Sequence, residues 1–176
     1  AGTSAIREGT LRWEHLRETD QEHFAEWTRR AAPRAGAVLL TREVPVGEVA
    51  LLRSDDPQVA IGQRVVLLRP SGGVGGGFLR AVLMSSILHR VVNLTTQGSL
   101  HPHLNMSDIA RIRIPAASLS KQHEVAQEHS ELLERFSVLR DCLTSARELM
   151  EARKRSLITA AVTGVFDVTS ASSRAA

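Results

Sequence analysis

The sequence predicts an α+β protein, in which a small mixed, twisted sheet with short helices is followed by one long helix that forms a coiled coil. In residues 1–118, short runs of β-branched and aliphatic residues alternate with turns that contain Gly and Pro. In the second part, apolar residues recur at alternating spacings of four and three, and neither Pro nor Gly interrupts residues 121–163. The first pattern is typical of strands joined by turns, and the second of a helix with a heptad stripe.

Each element of the first part has a local signal. Residues 20–30 predict a short helix, because Phe24 and Trp27 lie three positions apart and share one face. The glycine-rich run Ser71–Gly77 predicts a flexible connector between a strand and a helix. The other predicted elements are strands at Ala37–Thr41, Glu48–Leu52, Gln63–Pro70 and Ala110–Pro115, a helix at Phe78–Val92, and one helical turn at Met106–Ile109 capped by Asn105.

The predicted long helix needs a partner. Residues 120–163, with Ser120 as the N-cap and Gly164 as the end, would form a helix about 63 Å long at 1.5 Å per residue. A globular unit of about 118 residues has a radius of gyration near 13 to 14 Å and cannot cover such a stripe. The partner helix therefore belongs to another chain or to a part of the protein outside this sequence. The alternative is a helix that folds back on its own domain through an unrecognised break.

The stripe itself defines the predicted helix interface, which His129 and Arg153 interrupt with polar side chains. The favourable spacing of Glu131 to Arg135 and of Glu151 to Arg155 stabilises the outer faces of the helix. The predicted interface residues are Val125, His129, Leu132, Phe136, Leu139, Leu143, Ala146, Met150 and Leu157.

Composition excludes several classes of protein. No run approaches the ~18 to 20 apolar residues that span a bilayer, so the sequence excludes a transmembrane protein. The single cysteine, Cys142, excludes an internal disulfide and a cysteine-based zinc site, which fits a reducing cytoplasm.

The basic excess lies in the first part of the chain. Residues 1–118 contain 14 basic and 11 acidic residues, whereas residues 119–176 contain 8 of each. Of the 22 basic residues 20 are Arg, whose planar guanidinium matches phosphates and guanine edges. A GC-rich genome that favours Arg codons is the alternative explanation, and composition alone favours it.

No catalytic or cofactor motif is apparent. The run Ser71–Gly77 lacks the Lys-Ser/Thr of a P-loop, and no Ser lies in G-x-S-x-G. His101 and His103 form an H-x-H pair, but Asp108 is the nearest candidate third ligand, so loop structure or polar contact with a ligand is favoured over a metal site. We therefore expect a binding protein without cofactor, metal or catalytic residue in this chain.

A polar loop at Thr95–Asn105 predicts contact with DNA. Its side chains can hydrogen-bond to base edges or phosphates, and arginines occur on several neighbouring elements. Each residue taken alone is better explained as solvated surface, but together they make DNA contact plausible. The candidate DNA-binding residues are Arg29, Arg30, Arg42, Arg64, Gln97, Ser99, His101 and His103.

Several segments form a recognisable series along the chain, namely Trp27–Arg30, Ala35–Leu52, Ala60–Pro70, Phe78–Ser85, Thr95–Pro115, Gln122 and Arg153–Val168. Taken in this order, they resemble half of a specificity (S) subunit of Type I restriction-modification systems. The resemblance extends from about Trp13 to Val168. Each motif alone has low specificity, but their order and the final long helix make the combination specific.

The resemblance implies a target recognition domain at 1–118, a spacer helix at 119–165 and a flexible tail at 166–176. In this family the domain recognises a short sequence in double-stranded DNA, and the helix packs antiparallel against a second such helix. The subunit docks methyltransferase (M) subunits, which bind S-adenosylmethionine, and a restriction (R) subunit, which uses ATP and Mg. The S chain itself is not an enzyme and has no cofactor.

The sequence departs from the family pattern in two respects. The N-terminal part of a usual recognition domain is absent, and one domain and one helix stand where the family has two of each. We therefore expect either the C-terminal portion of a longer subunit or a half-subunit that pairs with itself on a two-fold symmetric site. Two alternatives are a coiled-coil module that docks a methyltransferase subunit without recognising DNA, and a small methyltransferase or nuclease, which the missing cofactor motif disfavours.

Overall fold

The computed structural model describes residues 1–53, 58–96 and 102–165. They belong to two compact units, Ala1–Leu133 and Glu134–Ala176. The predicted α+β class and the long C-terminal helix are confirmed. The elements are strands β1 Ile6–Arg7, β2 Thr10–Leu11, β3 Val38–Thr41, β4 Val49–Leu51 and β5 Val65–Leu68, and helices α1 Gln21–Thr28, α2 Gly76–Leu83, α3 Ser86–Thr96, α4 Met106–Ala110 and α5 Leu119–Val162.

Strand β3 is the centre of the first unit. It pairs antiparallel with β4 on one side and with β5 on the other, and β1 and β2 form a separate antiparallel hairpin. Side chains alternate between the two faces of a strand. Leu39 therefore packs with Ile6 and Leu11 of the hairpin, while Val38 and Leu40 pack with the apolar side chains of α2, α3 and α4. Residues 38–40 of β3 are all apolar because both faces of the strand are covered.

The segment predicted as one helix at Phe78–Val92 forms two, so that prediction is wrong. Helix α2 ends at Leu83 and α3 begins at Ser86. The hydroxyl of Ser85 donates to the carbonyl of Val82 at 2.6 Å and accepts from the amide of Ile87 at 3.2 Å. One serine thus ends the first helix and caps the second, because its short side chain competes with the helical backbone bonds.

The strand predicted at Ala110–Pro115 is absent, and no described residue of this segment joins a sheet. Ile112 and Ile114 are half-buried against the apolar cluster beneath α2, so their alternation reflects packing rather than strand pairing. The turn before them is confirmed as α4, where Asn105 and Asp108 form a capping box.

Helix α5 begins one residue before its predicted cap. The hydroxyl of Ser118 accepts from the amide of Lys121 at 3.3 Å, so Ser118 caps the helix in place of Ser120. The helix ends at Val162, and Gly164 follows with a φ of 75°, which agrees with the predicted end. No helix in the described ranges is both long enough and apolar enough to cross a membrane.

Gln122 fastens the first turns of α5 to the glycine-rich segment before α2. The side chain is only 8% exposed. Its Oε1 accepts from the amide of Gly75 at 2.9 Å, and its Nε2 donates to the carbonyls of Gly73 and Ala117, each at 3.0 Å. These bonds satisfy both ends of the buried amide, which lowers the cost of placing it in the interior.

The glycine-rich segment packs so closely against neighbouring residues that Gly76 and Gly77 have no room for a side chain. A Cβ built on Gly77 would lie 2.9 Å from the Cβ of Ala126, and one on Gly76 would lie 2.1 Å from the carbonyl oxygen of Gly36. The glycines predicted to form a flexible connector therefore also allow close packing against α5 and against the segment before β3.

Arg80 and His129 form a buried basic pair in the first unit. Arg80 is 2% exposed, and its Nη2 donates to the hydroxyl of Ser130 at 2.6 Å. His129 is half-buried, and its Nδ1 has no hydrogen-bond partner among the described residues. Burial and the nearby charge of Arg80 both lower the pKa of His129. Burial and the charge of Arg53 in turn lower the pKa of Arg80.

We predict that Gln122→Ala lowers the free energy of unfolding by about 2 to 3 kcal/mol, because it leaves the Gly75 amide and the Gly73 carbonyl without partners. Urea unfolding at fixed protein concentration measures the change. Gln127→Ala is the matched control, since Gln127 is exposed on the same helix and its side chain bonds the exposed Glu131. Equal midpoints for the two variants would contradict the assigned role of Gln122.

We predict that the protein loses stability as the pH falls below about 6.5, the usual pKa of histidine. The folded state holds His129 neutral because its pKa is lowered, whereas the unfolded state takes up the proton, so acid favours unfolding. Thermal unfolding between pH 7.5 and 5.5 should show a smaller decrease for His129→Gln than for the unmodified protein. The exposed His123 on the same helix provides the control, and a decrease unchanged by His129→Gln would refute the assignment.

Candidate nucleic-acid interface

Three of the candidate DNA-binding residues meet at one end of the sheet. Arg42 follows β3 directly, and Arg64 precedes β5 directly. Because the two strands are antiparallel neighbours, these positions lie side by side, and the amide of Arg42 donates to the carbonyl of Arg64 at 3.0 Å. His103 joins them through a β-bridge with Glu43, and the amide of Leu104 donates to the carbonyl of Arg42 at 2.8 Å.

The turn between β3 and β4 is held by a buried threonine. The hydroxyl of Thr41 accepts from the amide of Glu48 at 2.9 Å and donates to the carbonyl of Pro45. The carboxylate of Glu48 in turn accepts from Arg7 and from the amide of Glu8, each at 3.1 Å. Arg42 therefore extends from backbone that is fixed on both sides.

The side chains of this cluster offer donors to a ligand. Arg64 Nε lies 3.0 Å from Glu43 Oε2, and the two side chains are 68% and 42% exposed. Exposed ion pairs contribute about 0 to 1 kcal/mol, so a phosphate or a base can replace Glu43 as the partner of Arg64 at little cost. Arg42 is half-buried, and its Nε is a buried atom without a hydrogen-bond partner among the described residues, so this nitrogen is not open to a ligand. Guanidinium groups on a fixed backbone suit phosphate oxygens and guanine edges.

The other candidates lie elsewhere or outside the described residues. Arg29 and Arg30 are exposed after α1 and line a cleft at the opposite end of the sheet, so the structure does not bring them to Arg42 and Arg64. Gln97, Ser99 and His101 lie outside the described residues. Among the described residues of the polar loop, His103 and Leu104 contact the cluster.

Sequence reasoning missed Glu43 and Thr41 as parts of this site. Glu43 follows Arg42 in the sequence, but only the antiparallel pairing of β3 with β5 places it near Arg64. Pro45 and Gly47 indicate a turn after β3, but the hydrogen bonds of Thr41 to Pro45 and Glu48 depend on the path of that turn, which the sequence does not specify.

The predicted helix interface divides into a half-buried start and an exposed remainder. Val125 and His129 are half-buried within the first unit, where His129 faces Arg80. Further along α5 the apolar stripe is open to solvent, and Cys142 beside it is exposed and unpaired. The exposed fractions range from 46% to 70% among Leu132, Phe136, Leu139, Leu143, Met150 and Leu157, and Ala146 is exposed as well.

The described residues contain no group of three or more His, Cys, Asp or Glu side chains placed to hold a metal ion. His103 and Asp108 therefore do not form part of such a group within these ranges.

Comparison with known proteins gives a likeness of fold. The sequence matches no protein-family model and no curated protein. A chain from a solved structure, described as "Structural basis underlying complex assembly and conformational transition of the type I R-M system", matches with a TM-score of 0.66 and 19% sequence identity. The match covers 95% of this chain and 42% of that chain, so this chain spans less than half the length of its structural neighbour.

Proposed function

We propose that the chain is a specificity subunit, or half of one, of a Type I restriction-modification system, and that it recognises a short sequence in double-stranded DNA. The observation that supports this most is the meeting of Arg42, Arg64 and His103 at one exposed end of the sheet. The shared fold with a chain from a type I R-M structure supports the same proposal.

Recognition would divide between two kinds of contact. Arginine can donate two parallel hydrogen bonds to guanine O6 and N7, which discriminates between bases, or to phosphate oxygens, which fixes register. Arg42, on a backbone held by Thr41, suits the first task, because its position is fixed before the duplex arrives. On binding, Arg64 would leave its ion pair with Glu43 and contact the DNA instead. The ion pair would therefore restrain the Arg64 guanidinium only in the free protein.

The long helix would connect this recognition to its partners. Its open stripe would pack antiparallel on the helix of a second copy or of a second half-subunit, which would set the distance between two half-sites. M subunits with S-adenosylmethionine, and an R subunit with ATP and Mg, would dock on this scaffold and perform the chemistry in the cytoplasm. This chain would contribute position rather than a catalytic group.

A second candidate function rests on the open stripe alone. A coiled-coil module that docks a methyltransferase subunit without recognising DNA would need the exposed residues of α5 but not the arginine cluster. The two functions differ in one measurable respect: variants of the arginine cluster would leave subunit assembly intact in both, but would change the bound DNA sequences only in the first.

We predict that Arg42→Ala and Arg64→Ala each weaken binding of the full chain to its preferred duplex about 5- to 150-fold, the effect of losing one good contact of 1 to 3 kcal/mol. Fluorescence anisotropy with labelled duplexes selected from a random pool measures the loss. Arg147→Ala removes the same charge from the exposed surface of α5 and should have no effect. Unchanged affinity in both cluster variants would refute this site.

We predict that the isolated chain forms dimers in a concentration-dependent way, because burial of an exposed leucine side chain contributes about 1.5 to 3 kcal/mol. Sedimentation equilibrium should show that Leu139→Glu with Leu143→Glu abolishes the dimer, whereas Ser145→Glu, on the same helix but off the stripe, preserves it. A chain that stays monomeric at every concentration would exclude self-pairing and leave a separate half-subunit as the partner.

A further inference from the structure

Four arginines surround a cleft at the end of the sheet opposite Arg42 and Arg64. Its walls come from the end of α1, the linker that leads to β3, the residues after β5 and the start of α2, and its volume is about 600 Å³. The arginines are Arg29, Arg30, Arg34 and Arg69, of which Arg34 and Arg69 have no role so far.

Their positive charge is uncompensated within the described part of the chain. No Asp or Glu is among the residues that line the cleft, all of which the structure describes. None of the four arginines forms an ion pair with a described residue, and the Nη2 of Arg69 donates to a neutral group, the carbonyl of Ala32, at 3.3 Å. Four like charges without a counter-charge repel one another, and an anion relieves that repulsion.

The lining indicates which anion fits. Apart from the arginines it consists of Thr28, Pro70 and a series of Ala and Gly residues, without an aromatic ring or a side-chain amide. A free nucleotide gains affinity from stacking and from hydrogen bonds to its base, and this cleft provides neither. Arginine forks do match phosphate oxygens, and the small neighbouring residues leave room for a sugar-phosphate chain.

The position of the cleft relates it to the proposed recognition site. β3 and β5 connect the two, because Ala37 and Arg69 flank the strands at the cleft and Arg42 and Arg64 flank them at the other end. Five residue steps at about 3.3 Å place the two ends roughly 17 Å apart along β3. That distance is about half of the ~34 Å helical turn of B-DNA, so one duplex can contact both ends of the strand.

We propose that the arginine cleft binds backbone phosphates of duplex DNA and anchors the duplex independently of its base sequence. The proposal rests on the proposed function, and it separates the two tasks in space. Arg42 and Arg64 discriminate between sequences, and the cleft supplies affinity that every duplex shares. Its contribution is electrostatic and decreases with added salt, because each phosphate contact releases condensed counterions.

The test compares salt dependence in charge-matched variants of the full chain. For the triple variant Arg29→Ala, Arg30→Ala and Arg34→Ala, the slope of log affinity against log salt should fall in magnitude by about 2 to 3, since each phosphate contact contributes about 0.9. The triple Ala variant should lose the same factor of affinity for the preferred duplex and for random duplexes. The triple Lys variant at the same positions should retain the slope. Arg135→Ala, Arg147→Ala and Arg155→Ala remove the same charge from α5 and should leave it unchanged.

A second readout does not depend on DNA binding. Titration with inorganic phosphate, followed by NMR of the arginine Nε–Hε groups, should shift signals that disappear in the triple Ala variant, and circular dichroism checks that this variant is folded. If the triple Ala variant binds its preferred sequence with an unchanged salt slope, the cleft does not bind phosphates and the proposed function remains intact. If the unmodified chain binds no duplex, both the role of the cleft and the proposed function are refuted. Phosphate shifts without duplex binding would also overturn the proposal, because the cleft would then serve another anion.

Discussion

The contact of Gln122 with the glycine-rich segment determines which face of the first turns of α5 is buried in the first unit. The buried side-chain amide of Gln122 forms hydrogen bonds with Gly73 and Gly75. Because Gly77 has no side chain, Ala126 of α5 can pack directly against it. One face of these turns is thereby occupied inside the first unit, and Val125, His129 and Ser130 lie half-buried there. From Leu132 onward the apolar residues of the predicted stripe are open to solvent. A helix whose first turns are packed in this way, and whose later stripe is exposed in the described part of the chain, is suited to association with a second helix.

The sequence was a good guide where local pattern decides structure. Residues 37–41 and 63–70 contained β3 and β5, and the spacing of four and three located the long helix to within a residue or two. It failed where hydrophobic periodicity does not decide the structure. Ser85 divides a helix that periodicity makes continuous, through local hydrogen bonds to Val82 and Ile87. Ile112 and Ile114 alternate because they pack on a core rather than in a sheet. The hairpin of β1 and β2 is too short, at two residues a strand, to leave a pattern.

The candidate site was predictable in residue type but not in arrangement. Arginines near strand ends were apparent from the sequence, yet only the antiparallel pairing of β3 with β5 shows that Arg42 and Arg64 are neighbours while Arg29 and Arg30 belong to the far end. Charge is thus distributed over two ends of one strand pair. A single basic surface would bind any duplex uniformly, whereas two separated clusters permit a division between sequence discrimination and general affinity.

The central claim, that this chain recognises a DNA sequence, is tested most directly by selection from a pool of random duplexes. The full chain is incubated with the pool at near-physiological salt, and bound duplexes are amplified and sequenced over several rounds. The account predicts enrichment of one short motif, with the preference reduced when Arg42 and Arg64 are replaced by Ala. Bound duplexes as random in sequence after the last round as before the first would contradict it.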